Sequence, residues 1–362
     1  MNRYIKIIDW YIIKKYLGTF LFTCAIFTVV IVIFDVSEKL DDFLKRNAPL
    51  SKILFEYYAG FVPFYLNFLW PLINFIAVIF FTAKMADQTE IVPILSGGVS
   101  FKRFLWPYFI SSFILFAISL GANLFVIPKT NKLMIRFENI YIKPANNESK
   151  SETHMQIDKN TLVFIKNFDN VQKIGYTFIL EKFKGDQLVE KMMADRIVWD
   201  SLKSKWSIEN YTVRTINGLK ETMTSGTKKD TTLDMRPVDF VVYDNIYSAM
   251  STPELNERID KEKIRGTGVM QLLQLELYKR YVNPLAAFVL TLMGVSLSSR
   301  KVRGGIGLPL GIGIFLSFTY ILFIQFSTMF SLKGGLPPLV AVFIPNILFG
   351  ALGVYLMIKA PK

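Results

Sequence analysis

One polar stretch of the sequence, residues 82–103, has the residue types and spacing of a small recognition element between two apolar runs. Asp87 and Glu90 stand three residues apart, as in a capping box, where the first side chain accepts from the second residue's amide and the second carboxylate bonds back. Gly97-Gly98 has the backbone freedom to end the short helix that follows. Pro93 lacks an amide hydrogen, so we expect that helix to be kinked or split. On spacing alone, a plain loop between membrane helices explains the stretch equally well.

The sequence holds no recognisable motif for catalysis or metal binding. It contains no GxxxxGK[ST] phosphate-binding loop, no HExxH and no GxSxG. Its one cysteine, Cys24, and its one histidine, His154, cannot form a disulfide framework or a Cys/His metal site. We therefore predict that the chain is not an enzyme and has no metal or cofactor of its own. Its energy source would be another chain or an ion gradient.

The composition is that of an integral membrane protein. The 362 residues are 52% hydrophobic and 15% aromatic, and the mean hydropathy is +0.35, which is too apolar for an ordinary soluble protein. The net charge of +13 would also suit a nucleic-acid-binding protein. However, most of the basic excess lies in the short segments predicted to face the cytosol, which is the positive-inside pattern. We therefore predict no nucleic-acid partner.

Apolar runs long enough to cross a bilayer predict six transmembrane helices. They lie at about residues 16–34, 57–81, 104–127, 281–297, 306–330 and 336–358. Basic residues at every inner connection predict that both termini lie inside. No small-residue cleavage site follows the first run, so it is predicted to remain as a helix.

Few polar residues fall within these spans. Asn67 and Asn74 in the second span are expected to form helix–helix hydrogen bonds. The span interiors hold no Asp or Glu, and we interpret Asp35 and Glu38 as the solvated outer end of the first span. An ion-coupled carrier usually has acidic residues within its spans, so the pattern argues against one.

An all-β domain is predicted between the third and fourth spans, at residues 129–252. Partial alternation of apolar and polar residues predicts strands, with turn residues between them. The strands are expected at Thr161–Lys166, Tyr176–Phe183, Met192–Trp199, Trp206–Val213 and Asp239–Tyr243. Its interior is expected to be an apolar groove between two sheets, with these candidate inward residues: Val163, Phe164, Phe178, Leu180, Trp199 and Trp206. An odd number of spans precedes the domain, which therefore lies on the outer side.

The remaining segments complete a predicted four-part organisation. Residues 1–128 hold the first three spans and an inner helix at about 84–103. After the β domain, residues 253–280 form a connecting helix, opened by Thr252 as the cap and by Pro253. Residues 281–362 hold the last three spans.

This order of parts, together with several motifs, resembles the LptF/LptG permeases of the lipopolysaccharide ABC transporter over the whole chain. Thr89-Glu90-Ile91 and the following Gly98 are similar to the family's [ST]-E-[LI] coupling helix and its glycine. The segment Leu277–Ala286 is similar to the basic-to-Pro-Leu start of the fourth span. Further similar motifs are the hairpin Arg300–Gly305 and the segment Leu336–Pro338 before the sixth span.

The resemblance implies a transport subunit of the bacterial inner membrane with a jellyroll-like periplasmic domain. It would pair with a second LptF/LptG-type permease and bind a dimer of a cytosolic ABC ATPase, which holds the ATP. It would extract lipopolysaccharide and pass it to a periplasmic jellyroll bridge protein with a single membrane helix. The residues implied to couple it to the ATPase are Asp87, Thr89, Glu90, Ile91 and Gly98.

The resemblance also implies a lateral seam between the first span of one permease and the fifth span of the other. The fifth span carries an aromatic stripe that also includes Tyr320. The expected seam and lipid-path residues are Ile33, Phe34, Phe315, Phe318, Phe323 and Phe326. Family members can carry lysines near the outer end of the first span to meet lipid phosphates, and Lys39 is the candidate here.

Two other classes of function remain open from the sequence. An ion-driven lipid or solute carrier would need an acidic residue that faces the pore. A membrane-anchored receptor or assembly protein would bind a ligand through its β domain, and it would leave the capped stretch at residues 82–103 without a role.

Overall fold

The computed structural model describes residues 6–142, 152–169, 172–240, 246–300 and 305–360. The chain divides into two compact units. The helical unit comprises Met1–Phe137 and Gln274–Lys362, and the β unit comprises Glu138–Leu273.

Six helical stretches among the described residues are long and apolar enough to cross a membrane, as the sequence predicts. They are Ile7–Lys45, Trp70–Asp87, Phe101–Tyr141, Met270–Ser298, Gly307–Lys333 and Pro338–Ile358. The predicted fold class of six membrane helices with an inserted β domain is therefore confirmed.

Two of these stretches, Phe101–Tyr141 and Met270–Ser298, each contain two α-helices, because the backbone hydrogen-bond pattern changes within them. In chain order the α-helices are α1 (Ile7–Lys45), α2 (Leu50–Lys52), α3 (Ala59–Phe68), α4 (Trp70–Asp87), α5 (Ile91–Ser96), α6 (Phe101–Gly121), α7 (Ile127–Tyr141), α8 (Thr252–Arg265), α9 (Met270–Val282), α10 (Ala286–Ser298), α11 (Gly307–Lys333) and α12 (Pro338–Ile358). Single π-helical turns occupy Ile53–Tyr58 and Ala122–Val126, and 3₁₀ turns occupy Pro237–Phe240 and Asn283–Leu285.

The second predicted span is two helices rather than one. The backbone breaks at Leu69 between α3 and α4. Pro71 follows as the second residue of α4, where a missing amide removes no intrahelical bond. The break therefore comes where a proline can begin a new helix.

Helix α4 is the centre of the helical unit, and α1, α6, α10 and α11 surround it. Gly313 allows α11 to approach closely, because a Cβ there would lie 2.2 Å from the Cδ1 of Ile79. Polar side chains also tie the helices together. Tyr16 donates to Asn74 Oδ1 at 2.7 Å, and its hydroxyl lies 2.7 Å from the hydroxyl of Thr291, which joins α1, α4 and α10.

The second predicted asparagine contact joins α3 to the π-helical turn after α6. Asn67 donates to Asn123 Oδ1 at 3.1 Å, and Asn123 donates back to Asn67 Oδ1 at 2.9 Å. The helix–helix hydrogen bonds predicted for Asn67 and Asn74 are therefore confirmed.

The described residues of the β unit form six antiparallel strands in a single sheet, in which each strand pairs with the next along the chain. The strands are β1 (Thr153–Asp158), β2 (Thr161–Asp169), β3 (Ile174–Lys184), β4 (Gln187–Asp200), β5 (Lys205–Asn217) and β6 (Lys220–Thr231). Residues of both edge strands, β1 and β6, line one cavity, so the sheet curls around its inner face. The expected groove is thus the inner face of one described sheet, not the space between two.

Four of the five predicted strands are confirmed within longer strands. The fifth, Asp239–Tyr243, is wrong at its start, because Pro237–Phe240 is a 3₁₀ turn. Asp239 accepts there from the amide of Arg236 at 2.8 Å, which favours a turn over an extended chain. Residues 241–243 lie outside the described residues.

The predicted groove residues divide between the two faces of the sheet. Val163, Phe178, Leu180 and Trp206 belong to the buried cluster of the inner face. Trp199 is half-buried and packs against the same cluster. Phe164 is on the opposite face, where its ring lies 4.6 Å from the ring of His154, so the inward position predicted for it is wrong.

The predicted connecting helix is two helices, α8 and α9. Gly266, with φ of +61°, ends α8 in the left-handed conformation that glycine accommodates. Ser251, not Thr252, is the N-cap of α8, and its amide donates to Glu254 Oε2 at 2.9 Å in a capping box.

Candidate functional site

The α4–α6 turn, defined as Asp87–Ser100, begins differently from the predicted capping box. Asp87 is the last residue of α4, and the amide of Glu90 donates to Met85 O at 2.9 Å. Thr89 has φ of +60°, and its amide donates to Ala86 O at 3.1 Å. These are the two bonds of a Schellman motif. The capping box is therefore wrong, because the amide that Asp87 would accept from is already used to close α4.

Helix α5 lies in the middle of this turn. Pro93 is its third residue, where the amide has no intrahelical partner, so the predicted kink or split is also wrong. Gly98, with φ of +85°, follows the helix as predicted. Ser100 then caps α6 by accepting from the amide of Arg103 at 3.3 Å.

The five predicted coupling residues lie together in the α4–α6 turn, but they face different ways. Asp87, Thr89 and Gly98 are exposed, and Glu90 is half-exposed. Ile91 is 1% exposed and packs in the core of the helical unit. The turn is therefore a small exposed surface that one buried isoleucine anchors to the bundle.

Two polar contacts join the α4–α6 turn and the first turn of α6 to the first residues of α1. The guanidinium of Arg103 donates to the carboxylate of Asp9 through two bonds, of 2.7 and 2.5 Å. Tyr11 donates to Glu90 Oε2 at 3.1 Å. We call Asp9, Tyr11, Glu90 and Arg103 the α1 clamp. Sequence reasoning missed Asp9 and Tyr11, although Asp9 is a lone acid in a basic N-terminal segment.

The predicted seam residues lie on two separate apolar surfaces. Ile33 and Phe34 are 62% and 72% exposed on α1. The four predicted phenylalanines of α11 are all exposed, Phe315 most of all at 69%. Within this chain α1 packs against α4 and α6, whereas α11 packs against α4 and α12. Within one chain the two predicted seam surfaces therefore do not meet.

One aromatic residue of the α11 stripe belongs to the core instead. Tyr320 is fully buried, and it donates to Asn346 Oδ1 of α12 at 3.0 Å. Its phenol has a polar partner on the side facing α12, so it turns away from the exposed phenylalanines.

Asp35 and Lys39 form an ion pair in the C-terminal third of α1. Asp35 is 5% exposed and accepts from Tyr57 at 2.8 Å and from Tyr58 at 3.0 Å. Lys39 Nζ lies 3.0 Å from Asp35 Oδ1. The interpretation of Asp35 as a solvated helix end is therefore wrong, because α1 continues to Lys45 and tyrosines cover this carboxylate.

A basic stripe that sequence reasoning missed lies on α7. Lys129, Lys132 and Arg136 are exposed at spacings of three and four residues, which puts them on one helix face. The opposite face carries Met134 and Phe137, both buried. The helical period of the basic residues just after the third span was the available signal.

The inner face of the β unit holds a cavity of about 410 Å³. Its floor is apolar and includes Leu180, Met192 and Ile208. Charged residues of its rim include Lys182 and Glu190, whose side chains pair at 3.0 Å. Such a site accepts an apolar group below and a polar group at its mouth.

Comparison with known proteins gives a family assignment. No curated protein matches the chain. The family described as "Lipopolysaccharide export system permease LptF/LptG" matches residues 10–359, which include the α4–α6 turn, the β unit, five of the six membrane stretches in full and the first stretch from its fourth residue. The chain therefore belongs to the LptF/LptG family of lipopolysaccharide export permeases and is a multi-pass membrane protein of a transport system.

Proposed function

We propose that the chain is one permease of an ATP-driven transporter that extracts lipopolysaccharide from the bacterial inner membrane. The observation that carries this proposal is the family match over residues 10–359. In this arrangement the α4–α6 turn and both termini lie in the cytosol, and the β unit lies in the periplasm. The basic residues at the α1 and α6 ends support that orientation, among them Lys14, Lys15 and Lys102.

The ATP is held and hydrolysed by a dimer of a separate ABC ATPase. The sequence has no phosphate-binding loop, and the α4–α6 turn is an exposed element on a buried anchor. Its exposed residues include Asp87, Thr89 and Val92, and Val92 is 59% exposed. An apolar side chain beside an acidic one suits a cleft with a basic rim on the ATPase.

A second permease of the same family completes the lipid path. Taking one twelve-carbon acyl chain into water costs about 10 kcal/mol, at about 0.8 kcal/mol per CH₂, so the path must stay apolar. The exposed faces of α1 and α11 are apolar and so suit such a path. The seam between α1 of one permease and α11 of the other is where lipid enters sideways.

The lipid phosphates are met by the stripe Lys129, Lys132 and Arg136. These cations are exposed on α7, next to the outer end of the third span. The first candidate, Lys39, lies against Asp35, and its side chain is 19% exposed, so it is the weaker choice.

The β unit passes lipid to a periplasmic bridge protein that has a jellyroll domain and a single membrane helix. Two features of the unit support this step. Its inner face has a cavity with an apolar floor. Strand β6 is an edge strand with one described neighbour, β5, and an edge of this kind can pair with a strand of another domain.

An ion-driven carrier remains the second candidate, because Asp35 is a buried carboxylate inside α1. Reconstitution separates the two functions. The chain is placed in proteoliposomes with a second permease, the ATPase and lipopolysaccharide, and release to the bridge protein is measured. We expect release with ATP and no effect of a protonophore. Release without ATP, or loss of release on adding the protonophore, overturns the proposal.

A charge reversal at Glu90 tests the coupling role in the same assay. Glu90→Lys removes the acceptor of Tyr11 and reverses the charge that would meet the ATPase. We expect ATP hydrolysis to continue and lipid release to stop. Lys14→Glu, an exposed reversal on α1, is the matched control and should retain release. Normal release by the Glu90→Lys complex contradicts the coupling role.

A further inference from the structure

We propose that Asp9 and Tyr11 are positioning residues for the coupling step, which fix the α4–α6 turn to α1 and so make α1 the strut that carries its displacement to the seam. This inference rests on the proposed function of the turn. It adds a role for residues that lie outside the turn and outside the motif that the family resemblance uses.

The first observation is that the two contacts of the α1 clamp hold α5 from both sides. Glu90 immediately precedes α5, and Arg103 is the third residue of α6, five residues after Gly98. Their partners, Tyr11 and Asp9, are two residues apart on α1. The short helix therefore cannot shift along α1 unless one of these contacts breaks.

The second observation is the quality of the Asp9–Arg103 contact. Asp9 is 3% exposed, and its Oδ2 accepts from the amide of Lys6 as well as from Arg103 Nη2. A bidentate carboxylate–guanidinium pair fixes orientation as well as distance. The Arg103 side chain is 35% exposed, so the restraint comes from this two-bond geometry rather than from burial of the pair. The pair is therefore a rigid joint.

Apolar packing supports the same joint. Ile12 of α1 and Ile91 of α5 are both 1% exposed and belong to one core cluster with Phe104 of α6. A small cavity of about 50 Å³ remains between α1, α5 and α6, beside Asp9 and Arg103. Because packing leaves this gap, the polar pair supplies the restraint there.

The third observation is that α1 continues without interruption from the clamp to the seam surface. It is a single α-helix of 39 residues, and it contains no proline. Ile33 lies 24 residues after Asp9 (33 − 9), which is about 36 Å along the helix at 1.5 Å per residue. An unbroken helix transmits a displacement of one end to the other. A push on α5 therefore moves Ile33 and Phe34.

The first test is the amount of lipid released per ATP hydrolysed by the reconstituted complex. For Asp9→Asn we expect assembly and hydrolysis to persist and the ratio to fall about tenfold, the size expected for losing a charge-assisted hydrogen bond. Tyr11→Phe removes one hydroxyl from a partly exposed side chain, and we expect the ratio to fall about threefold. The exchanged pair Asp9→Arg with Arg103→Asp should recover release. Lys14→Gln, which touches neither contact, is the control.

A second test measures the strut directly. Spin labels replace Ser96, the exposed last residue of α5, and Ile33 of α1 in a chain with Cys24→Ser, inside the full complex. We expect the distance between the two labels to stay the same when the ATPase is trapped with nucleotide. In the labelled chain that also carries Asp9→Asn, we expect nucleotide trapping to change this distance. If nucleotide trapping changes the label-to-label distance by about 5 Å, about one helical turn, in the chain that keeps Asp9, the inference is overturned.

The outcomes distinguish this inference from the proposed function. If the wild-type complex releases no lipid with ATP, the proposed function fails. If it does release lipid, but Asp9→Asn and Tyr11→Phe both keep the wild-type ratio, the positioning role fails while the proposed function stands. Equal loss of hydrolysis and release would also overturn the role, because it would mean that the clamp only maintains assembly.

Discussion

Replacement of Asp239 by asparagine should loosen the β unit at one end of its inner face. The Asp239 carboxylate contacts the guanidinium of Arg258 and lies 2.7 Å from Arg265 Nη1, and all three side chains are nearly buried. It holds α8 against the 3₁₀ turn in which Phe240 is fully buried. Phe240 in turn packs on Phe168 at a ring distance of 4.8 Å.

The expected magnitude follows from the charges that would remain. Burial lowers the pKa of Arg258 to about 10 and also lowers the pKa of Arg265. Guanidinium groups in proteins stay charged at neutral pH. Asparagine keeps the shape but leaves two buried guanidinium groups without the anion between them. Removing one partner of a buried ion network costs about 3–5 kcal/mol. We expect about 3 kcal/mol, the low end of that range, because the nearby carboxylate of Glu262 offsets part of the charge.

Amide hydrogen exchange in the intact, lipid-embedded chain measures this change locally. A loss of about 3 kcal/mol corresponds to about 150-fold faster exchange in β5 and in the 3₁₀ turn. The matched control is Asp234→Asn, because the Asp234 side chain is 70% exposed and lies 4.0 Å from Arg265. We expect about 0.5 kcal/mol or less there. If Asp239→Asn accelerates exchange no more than the control does, the network does not hold the turn and the reasoning is refuted.

Three further predictions concern the seam, the cavity and helix packing. In a chain without Cys24, a cysteine in place of Ile33 is oxidised to a disulfide with a cysteine in α11 of the partner permease. This disulfide should stop lipid extraction reversibly while ATP hydrolysis continues, and unaffected extraction would rule out this seam. A photo-crosslinker at Leu180 should capture lipid only while ATP turns over, whereas capture without nucleotide would favour a receptor. Gly60→Ala should lower stability by about 1–3 kcal/mol, because its Cβ would lie 2.5 Å from a backbone oxygen of α7. Gly18→Ala has open space within helix α1, so in the same thermal unfolding measurement it should raise stability by up to about 1 kcal/mol.

The membrane spans and most strands could be predicted because their signals are local. A run of apolar residues long enough to cross a bilayer needs no partner to be recognised, and alternation marks a half-buried strand in the same way. Strands β1 and β6 were both missed. Strand β6 carries no such alternation, because almost every residue from Lys220 to Thr231 is exposed. An edge strand of this kind is defined by its pairing with β5, which lies outside its own sequence.

The parts of the candidate site that could not be predicted depend on distant or competing contacts. Asp9 and Arg103 are 94 residues apart, so no spacing rule connects them. At Asp87 and Glu90, two local motifs compete for the same amide. The Schellman motif prevails although it holds the β-branched Thr89 at positive φ, a conformation that residue types other than glycine rarely adopt. The sequence pattern could locate the turn, but it could not decide whether a capping box or a Schellman motif forms there.

The distribution of polar contacts explains how one permease can move without coming apart. Hydrogen bonds deep in the helical unit, such as Tyr16 to Asn74, link helices of the same chain. In a membrane each is worth about 1 kcal/mol, and breaking it would leave polar groups in hydrocarbon. The exposed faces around Phe34 and Phe315 consist of apolar side chains. Separating such a face from the partner permease would leave no polar group unpaired. Motion driven through the α1 clamp should therefore open the chain's contacts with its partner rather than those within itself, so the helical unit moves as one body.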